Sequence, residues 1–268
     1  MNHSVFQENV VILTGASSGI GREMAYQLAR QGAWLSLAAR DVHRLEQVAG
    51  KCREVGAKTV VVETDVGEQS QCQRLVVRTV ETYGRIDTLI NNAGITMWSL
   101  FEEMQTLAPF ERIMQVNYFG SLYCTYYALP YLKQQRGRLV AIDSLAGKTG
   151  VPIRSGYAAS KHALVGLFDS LRIELTSSGV SVTLVFPDFV ATETRQRAFG
   201  ADGEPLGVSP VQEDKVMSAA DCAHQALQAI ARRQRQAMMG RGKFLQYLLP
   251  YIPGLIDRMA ARAIQRGQ

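Results

Sequence analysis

The sequence predicts an α/β domain, a doubly wound parallel sheet of about seven strands with helices on both faces. Three observations predict it. Strand-length apolar runs rich in β-branched residues alternate with longer helical patterns. The runs are continuously apolar rather than alternating, as expected for strands buried on both faces. The first run leads directly into a glycine-rich turn and then a helix. With 268 residues, 47% hydrophobic and 20% charged, the chain is long enough to bury one full core.

The strands are expected at Val10–Thr14, Trp34–Ala39, Thr59–Thr64, Thr88–Asn91, Arg138–Ser144 and Ser181–Phe186, with a weak last one at Gln236–Met239. Helical patterns fall near 20–31, 42–55, 68–83, 107–134, 156–177 and 218–234. Right-handed crossovers then give a Rossmann-type sheet. No repeat or low-complexity linker divides the chain, so residues 1–268 are expected to form one domain. Two segments break the rhythm: a polar, Gly- and Pro-containing connection at 188–217, long enough to be a functional loop, and the tail 241–268.

Cys52, Cys72, Cys124 and Cys222 are scattered and contain no C-x-x-C pair, and four histidines show no ligand spacing, so no metal site is expected. Strand one starts too early to leave room for a signal peptide, and no run of apolar residues spans a bilayer. A reducing, cytoplasmic setting is expected. Eight Lys/Arg against one acidic residue from Arg232 onward give +7 of a total of +5, so the rest of the chain carries −2. That tail basicity is local, unlike the groove-wide charge of a nucleic-acid enzyme.

The turn reads Thr14-Gly-Ala-Ser-Ser-Gly-Ile-Gly21. Gly15, Gly19 and Gly21 allow a tight turn and close approach of a pyrophosphate to the amides at a helix N-terminus. The second strand ends Ala39-Arg40-Asp41. Arg40 suits a ribose 2′-phosphate, whereas Asp41 reads as the N-cap of the next helix. NADP(H) is therefore the expected cofactor.

With Asn91-Asn-Ala-Gly94, Val116-Asn-Tyr-Phe-Gly120, and Tyr157-Ala-Ala-Ser-Lys161 thirteen residues after Ser144, the chain resembles the short-chain dehydrogenase/reductase superfamily over nearly its whole length. The resemblance implies a catalytic set of Asn117, Ser144, Tyr157 and Lys161. It also implies cofactor contacts from Gly15, Ser17, Ser18, Gly19, Ile20 and Gly21, from Val66, Asn92, Ala93 and Gly94, and from Pro187 and Val190. Asp65 looks like the adenine-contacting aspartate, and Thr192 like the threonine on the nicotinamide carboxamide.

The residue chemistry agrees. Tyr157 and Lys161 are one helical turn apart. A phenol, with an ordinary pKa near 10, needs a neighbouring cation to exchange protons efficiently at neutral pH. Ser144 can hold the substrate oxygen, Lys161 the cofactor ribose, and Asn117 a water that resupplies the proton.

Several positions depart from the family pattern. Asp188 follows Pro187 where glycine is common; it either lies near the nicotinamide edge or the pocket mouth, disfavouring anionic substrates, or points to solvent or caps the following turn. Asp143 precedes Ser144, and strand alternation assigns it no role. His162 reads as structural or interfacial. Met97, Trp98 and Leu100 fit either an apolar pocket or the core.

The apolar, Arg/Lys-framed tail fits packing within a homo-oligomer, peripheral membrane contact or a lid. The expected activity is carbonyl–alcohol interconversion on a small, lipophilic molecule. An NAD-linked sugar or polyol dehydrogenase and a catalytically idle dinucleotide-binding regulator are the alternatives.

Overall fold

The computed structural model describes residues 4–210 and 216–240, together with Gly254, Asp257, Arg258 and Ala261. The tail 241–268, apart from those four positions, lies outside the described residues, and so does 211–215 within the long loop.

Seven strands form one parallel sheet in the order β3-β2-β1-β4-β5-β6-β7. They are β1 (Val10–Thr14), β2 (Trp34–Ala39), β3 (Thr59–Glu63), β4 (Thr88–Asn91), β5 (Arg138–Ile142), β6 (Ser181–Phe186) and β7 (Gln236–Met238). The helices are α1 (Gly19–Arg30), α2 (Val42–Glu54), α3 (Gln69–Tyr83), α4 (Ala108–Met114), α5 (Gly120–Gln134), α6 (Ser155–Glu174) and α7 (Ala219–Ala231). Every residue of β1 and β4 is buried, and β1 accordingly reads as an apolar run from Val10 to Leu13.

Each sheet face carries its own core. Residues of α1, α2 and α7 pack on one face, with Met24, Leu28, Leu45 and Ile230 among the buried side chains. Residues of α3, α5 and α6 pack on the other, with Leu75, Cys124, Leu164 and Phe168. In α3 the buried positions Cys72, Leu75, Val76 and Thr79 follow helical spacing, and the helix ends where Gly84 adopts left-handed φ 75°.

Helix boundaries follow local chemistry. Asp41 accepts the Arg44 N–H at 3.0 Å and caps α2, as its position predicted. Ser218 does the same for α7 through Asp221 N–H, also at 3.0 Å.

Two expectations change. The helical pattern at 107–134 is not one α-helix: a π-helical turn at Gln115–Phe119 separates α4 from α5. β5 stops at Ile142, so Asp143 and Ser144 lie beyond the strand rather than within it.

The strand order reverses between β1 and β4, whose C-terminal ends open a crevice. Thr14 ties its walls together. Its hydroxyl oxygen accepts the N–H groups of Asn92 and Ala93 at 2.9 and 3.0 Å. In return, the Asn92 side-chain amide donates to the carbonyls of Thr14 and Gly15 at 2.9 and 3.2 Å.

Gly21 meets this lock directly: a Cβ there would stand 2.3 Å from the Gly15 carbonyl oxygen. Gly21→Ala is expected to destabilise the protein by about 1–3 kcal/mol, as overpacking does. The measurement is the denaturant midpoint at unchanged slope; an unmoved midpoint would show that turn and helix yield freely.

Candidate active site

A cleft of about 850 Å³ runs from the β1 turn, past the ends of β4 and β5, to the loop after β6. Its walls include all four expected catalytic residues except Asn117, and every expected cofactor contact.

At one end, Gly15 (φ 65°) brings the turn against the Ala93 backbone. The Arg40 side chain is exposed at the rim. Arg44 pairs with Glu193 at 2.6 Å, and Arg197 donates to Ser18 Oγ at 2.9 Å, so the long loop straps the turn. Thr192 packs close to Gly19. Asp65 lines the wall, but its carboxylate accepts Gly67 N–H at 2.9 Å and pairs with Arg112 at 2.5 Å. Arg112, on α4, was not foreseen; nothing in its helical pattern pointed it at the end of β3.

At the other end, Lys161 is 4% exposed and donates from Nζ to the Ile142 carbonyl at 2.8 Å. Its Nζ lies 5.8 Å from the Tyr157 ring centroid. A Cβ on Gly94 would come within 3.3 Å of Asn117 Oδ1 and 4.0 Å of Lys161 Nζ, so the β4 loop closes tightly over both. Ser144 Oγ accepts Ala146 N–H at 3.2 Å, which leaves its hydroxyl proton available to a ligand.

The π turn sets Asn117 facing the β4 loop. Oδ1 accepts Ile95 N–H at 2.9 Å, and Nδ2 donates to Ile95 O at 3.0 Å and Ser160 Oγ at 2.9 Å. Both amide hydrogens are thereby engaged, so the side chain braces the β4 loop to α6 and keeps only a lone pair for a water.

Asp143 is not the bystander that strand alternation suggested. Because β5 ends at Ile142, the alternation rule no longer applies, and the carboxylate turns inward at 4% exposure. Oδ1 accepts Ser144 N–H at 2.6 Å, while Oδ2 is buried without a hydrogen-bond partner among the described residues. Burial pushes its pKa up to about 6, against the pull of Lys161, Ser144 N–H, Lys148 and His162.

Asp188 lines the cleft, and its Oδ1 accepts the Phe189 N–H at 2.8 Å. His162 is exposed, with Nδ1 2.9 Å from Ala158 O. Met97 is fully buried, and Trp98 packs against Phe189 with ring centroids 6.5 Å apart. The sequence reading also missed Thr96, Arg154 and Arg195 in the substrate half.

Fold and site together define a class of nicotinamide-dependent oxidoreductases. The short chain dehydrogenase family profile matches residues 9–202, and the chain belongs to that family. It is 40% identical over 243 residues to 11-beta-hydroxysteroid dehydrogenase 1A of Arabidopsis thaliana, covering 87% of this chain and 69% of that protein. It is 39% identical over 256 residues to 11-beta-hydroxysteroid dehydrogenase A of Arachis hypogaea, covering 92% and 73%.

Among solved structures, a short chain dehydrogenase/reductase from Burkholderia phymatum in complex with NAD superposes with TM-score 0.82 at 26% identity, covering 95% of this chain and 96% of that one. An alcohol dehydrogenase from the archaeon Thermococcus sibiricus, complexed with 5-hydroxy-NADP, gives TM-score 0.75 at 25% identity, covering 86% and 95%.

The raised Asp143 pKa has a defined consequence for stability. The folded state holds this proton up to about pH 6, whereas the unfolded state releases it near 3.8. Stability from this group is therefore fully present in acid and falls as pH rises through that window, by roughly 3 kcal/mol at 1.36 kcal/mol per unit. Asp143→Asn should remove that fall. Denaturant titrations at a series of pH values check it; parallel pH profiles for the two proteins would refute the assignment.

Proposed function

We propose that the protein is an NADP(H)-dependent oxidoreductase that interconverts a carbonyl and a secondary alcohol on a lipophilic small molecule, with Tyr157 as acid/base. One observation carries it: Tyr157, Lys161 and Ser144 share one cleft with the glycine turn and Arg40.

NADPH, when bound, supplies the hydride that reaches the carbonyl carbon. Ser144 holds the carbonyl oxygen, and Tyr157 gives that oxygen its proton as the C–H bond forms. Buried Lys161 favours the phenolate that remains. In the alcohol-oxidising direction Tyr157 takes the proton back.

Arg40 supports NADP(H) over NAD(H). Asp41, its acidic neighbour, is engaged as the α2 cap and pairs with Arg44, leaving Arg40 as the group suited to a 2′-phosphate. Val151, Phe189, Phe199 and Pro205 support an apolar substrate body, in line with the hydroxysteroid names of the relatives.

A homo-oligomer is part of this reading, supported by Tyr126 on α5 and Ile173 on α6, 68% and 77% exposed. So is a cytoplasmic setting, supported by four buried free cysteines. No helix among the described residues is long and apolar enough to cross a membrane.

Tyr157→Phe is expected to lower turnover by about 10²–10⁴-fold while NADPH still binds. Steady-state rates beside a fluorescence titration of NADPH decide it, and near-normal turnover sinks the mechanism. Arg40→Ala should weaken NADP(H) selectively, by roughly tenfold to a hundredfold for a lost charged hydrogen bond. Equal wild-type affinity for NADH and NADPH in the same titration would rule out this role.

A further inference from the structure

Arg154 lies three residues before Tyr157, at the N-terminal boundary of α6, and lines the substrate half of the cleft. Its guanidinium carbon stands 4.2 Å from the Tyr157 ring centroid, 5.7 Å from that of Trp98 and 5.8 Å from that of Phe189. Nε and one terminal nitrogen both donate to a single hydroxyl, Thr96 Oγ1, at 3.3 and 3.0 Å. Among the described residues it forms no ion pair with a carboxylate.

A second guanidinium lies nearby. Arg195 lines the same half of the cleft, its guanidinium carbon 5.7 Å from the Phe189 ring centroid. Burial lowers the Arg154 pKa, Tyr157 opposes that, and Arg195 adds to the lowering. The one carboxylate of the neighbouring loop that faces this cleft, Asp188, is turned onto its own Phe189 N–H.

A guanidinium stays protonated even here, so its charge must be met in some other way. Aromatic faces compensate only in part, and a wholly neutral ligand would leave the remaining donors desolvated without a partner. Beyond its bonds to Thr96 and the hydrogen bond it shares with the Tyr157 side chain, the guanidinium keeps N–H groups that can meet a carboxylate.

Resting on the activity proposed above, we infer that Arg154 determines specificity by binding a carboxylate of the substrate. The substrate class is then an apolar 2-oxo or 3-oxo acid, or the matching hydroxy acid. The short spacing follows from the stacking: an anion held by a guanidinium that lies on the Tyr157 ring is within a bond or two of a carbonyl held by Tyr157. The rest of the molecule extends over Val151, Phe189, Phe199 and Pro205. Asp188 also lines this cleft, with one carboxylate oxygen accepting the Phe189 N–H.

The test compares 3-oxohexanoate with its ethyl ester, using NADPH and the full-length protein. Wild type should favour the acid in kcat/KM. Arg154→Gln should reduce kcat/KM at least about tenfold more for the acid than for the ester, as loss of a charged hydrogen bond implies. Arg154→Lys should restore part of the difference.

The same pair, titrated calorimetrically into NADP⁺-loaded protein, gives a readout independent of turnover: the acid should bind the wild type and bind Arg154→Gln about tenfold more weakly. Preference of the wild type for the ester, equal losses for both probes, or acid binding absent or unchanged in Arg154→Gln overturns the inference. Turnover of the ester alone would overturn it while leaving the carbonyl-reductase reading intact.

Discussion

The catalytic end of this molecule is organised by one buried cation. Lys161 is almost wholly enclosed, and an ammonium out of water must find acceptors or opposite charge nearby. It finds the carbonyl of Ile142, the last residue of β5, and the field of the Asp143 carboxylate. Gly94 allows the β4 loop to close beside it without a side chain. Asn117 then clamps that loop to Ser160, the residue before the lysine. The ends of β4 and β5 and α6 are thus held in register around a single charge, and Tyr157 inherits its position from them.

Much of this was legible in the sequence because it rests on local rules. The continuously apolar runs gave six of the seven strands nearly to the residue, since a strand buried on both faces must read that way. Asp41 was recognisable as a cap because an aspartate before a helical run has a known use. The π turn was not legible: the pattern of 107–134 is compatible with an unbroken helix, and the extra backbone residue is selected by what Asn117 must reach. Asp143 was misjudged for a related reason. Alternation holds only inside a strand, and the chain leaves β5 one residue earlier.

Arg154 shows the limit more sharply. It sits inside the most informative stretch of the sequence, yet the segment 148–154 has neither helical nor strand period to fix its direction. Its packing against Thr96 and three aromatic rings depends on contacts from the loop after β4 and from the loop after β6, far away in the chain. Asp65 differs in kind. Its place beside the cleft was foreseen, but its partner Arg112 belongs to α4, and only the folded chain brings the two together.

The two ends of the cleft handle charge differently, and burial explains the contrast. At the turn, Arg44, Glu193, Arg197 and Ser18 are linked across the surface. Exposed pairs of this kind contribute only about 0–1 kcal/mol each, so the strap that Glu193 makes is easily exchanged for a phosphate without unfolding anything. At the substrate end, Asp143 is enclosed and Arg154 half-buried, and their charges are answered by aromatic faces, one hydroxyl and one backbone N–H. Moving the Asp143 carboxylate is costly, because a buried charge cannot fall back on water. The cofactor end is therefore built to adapt and the substrate end to discriminate. A nucleotide with many charged atoms needs only a yielding, positive surface; a small ligand is told from its neighbours by whether it satisfies the charges that the fold has already buried.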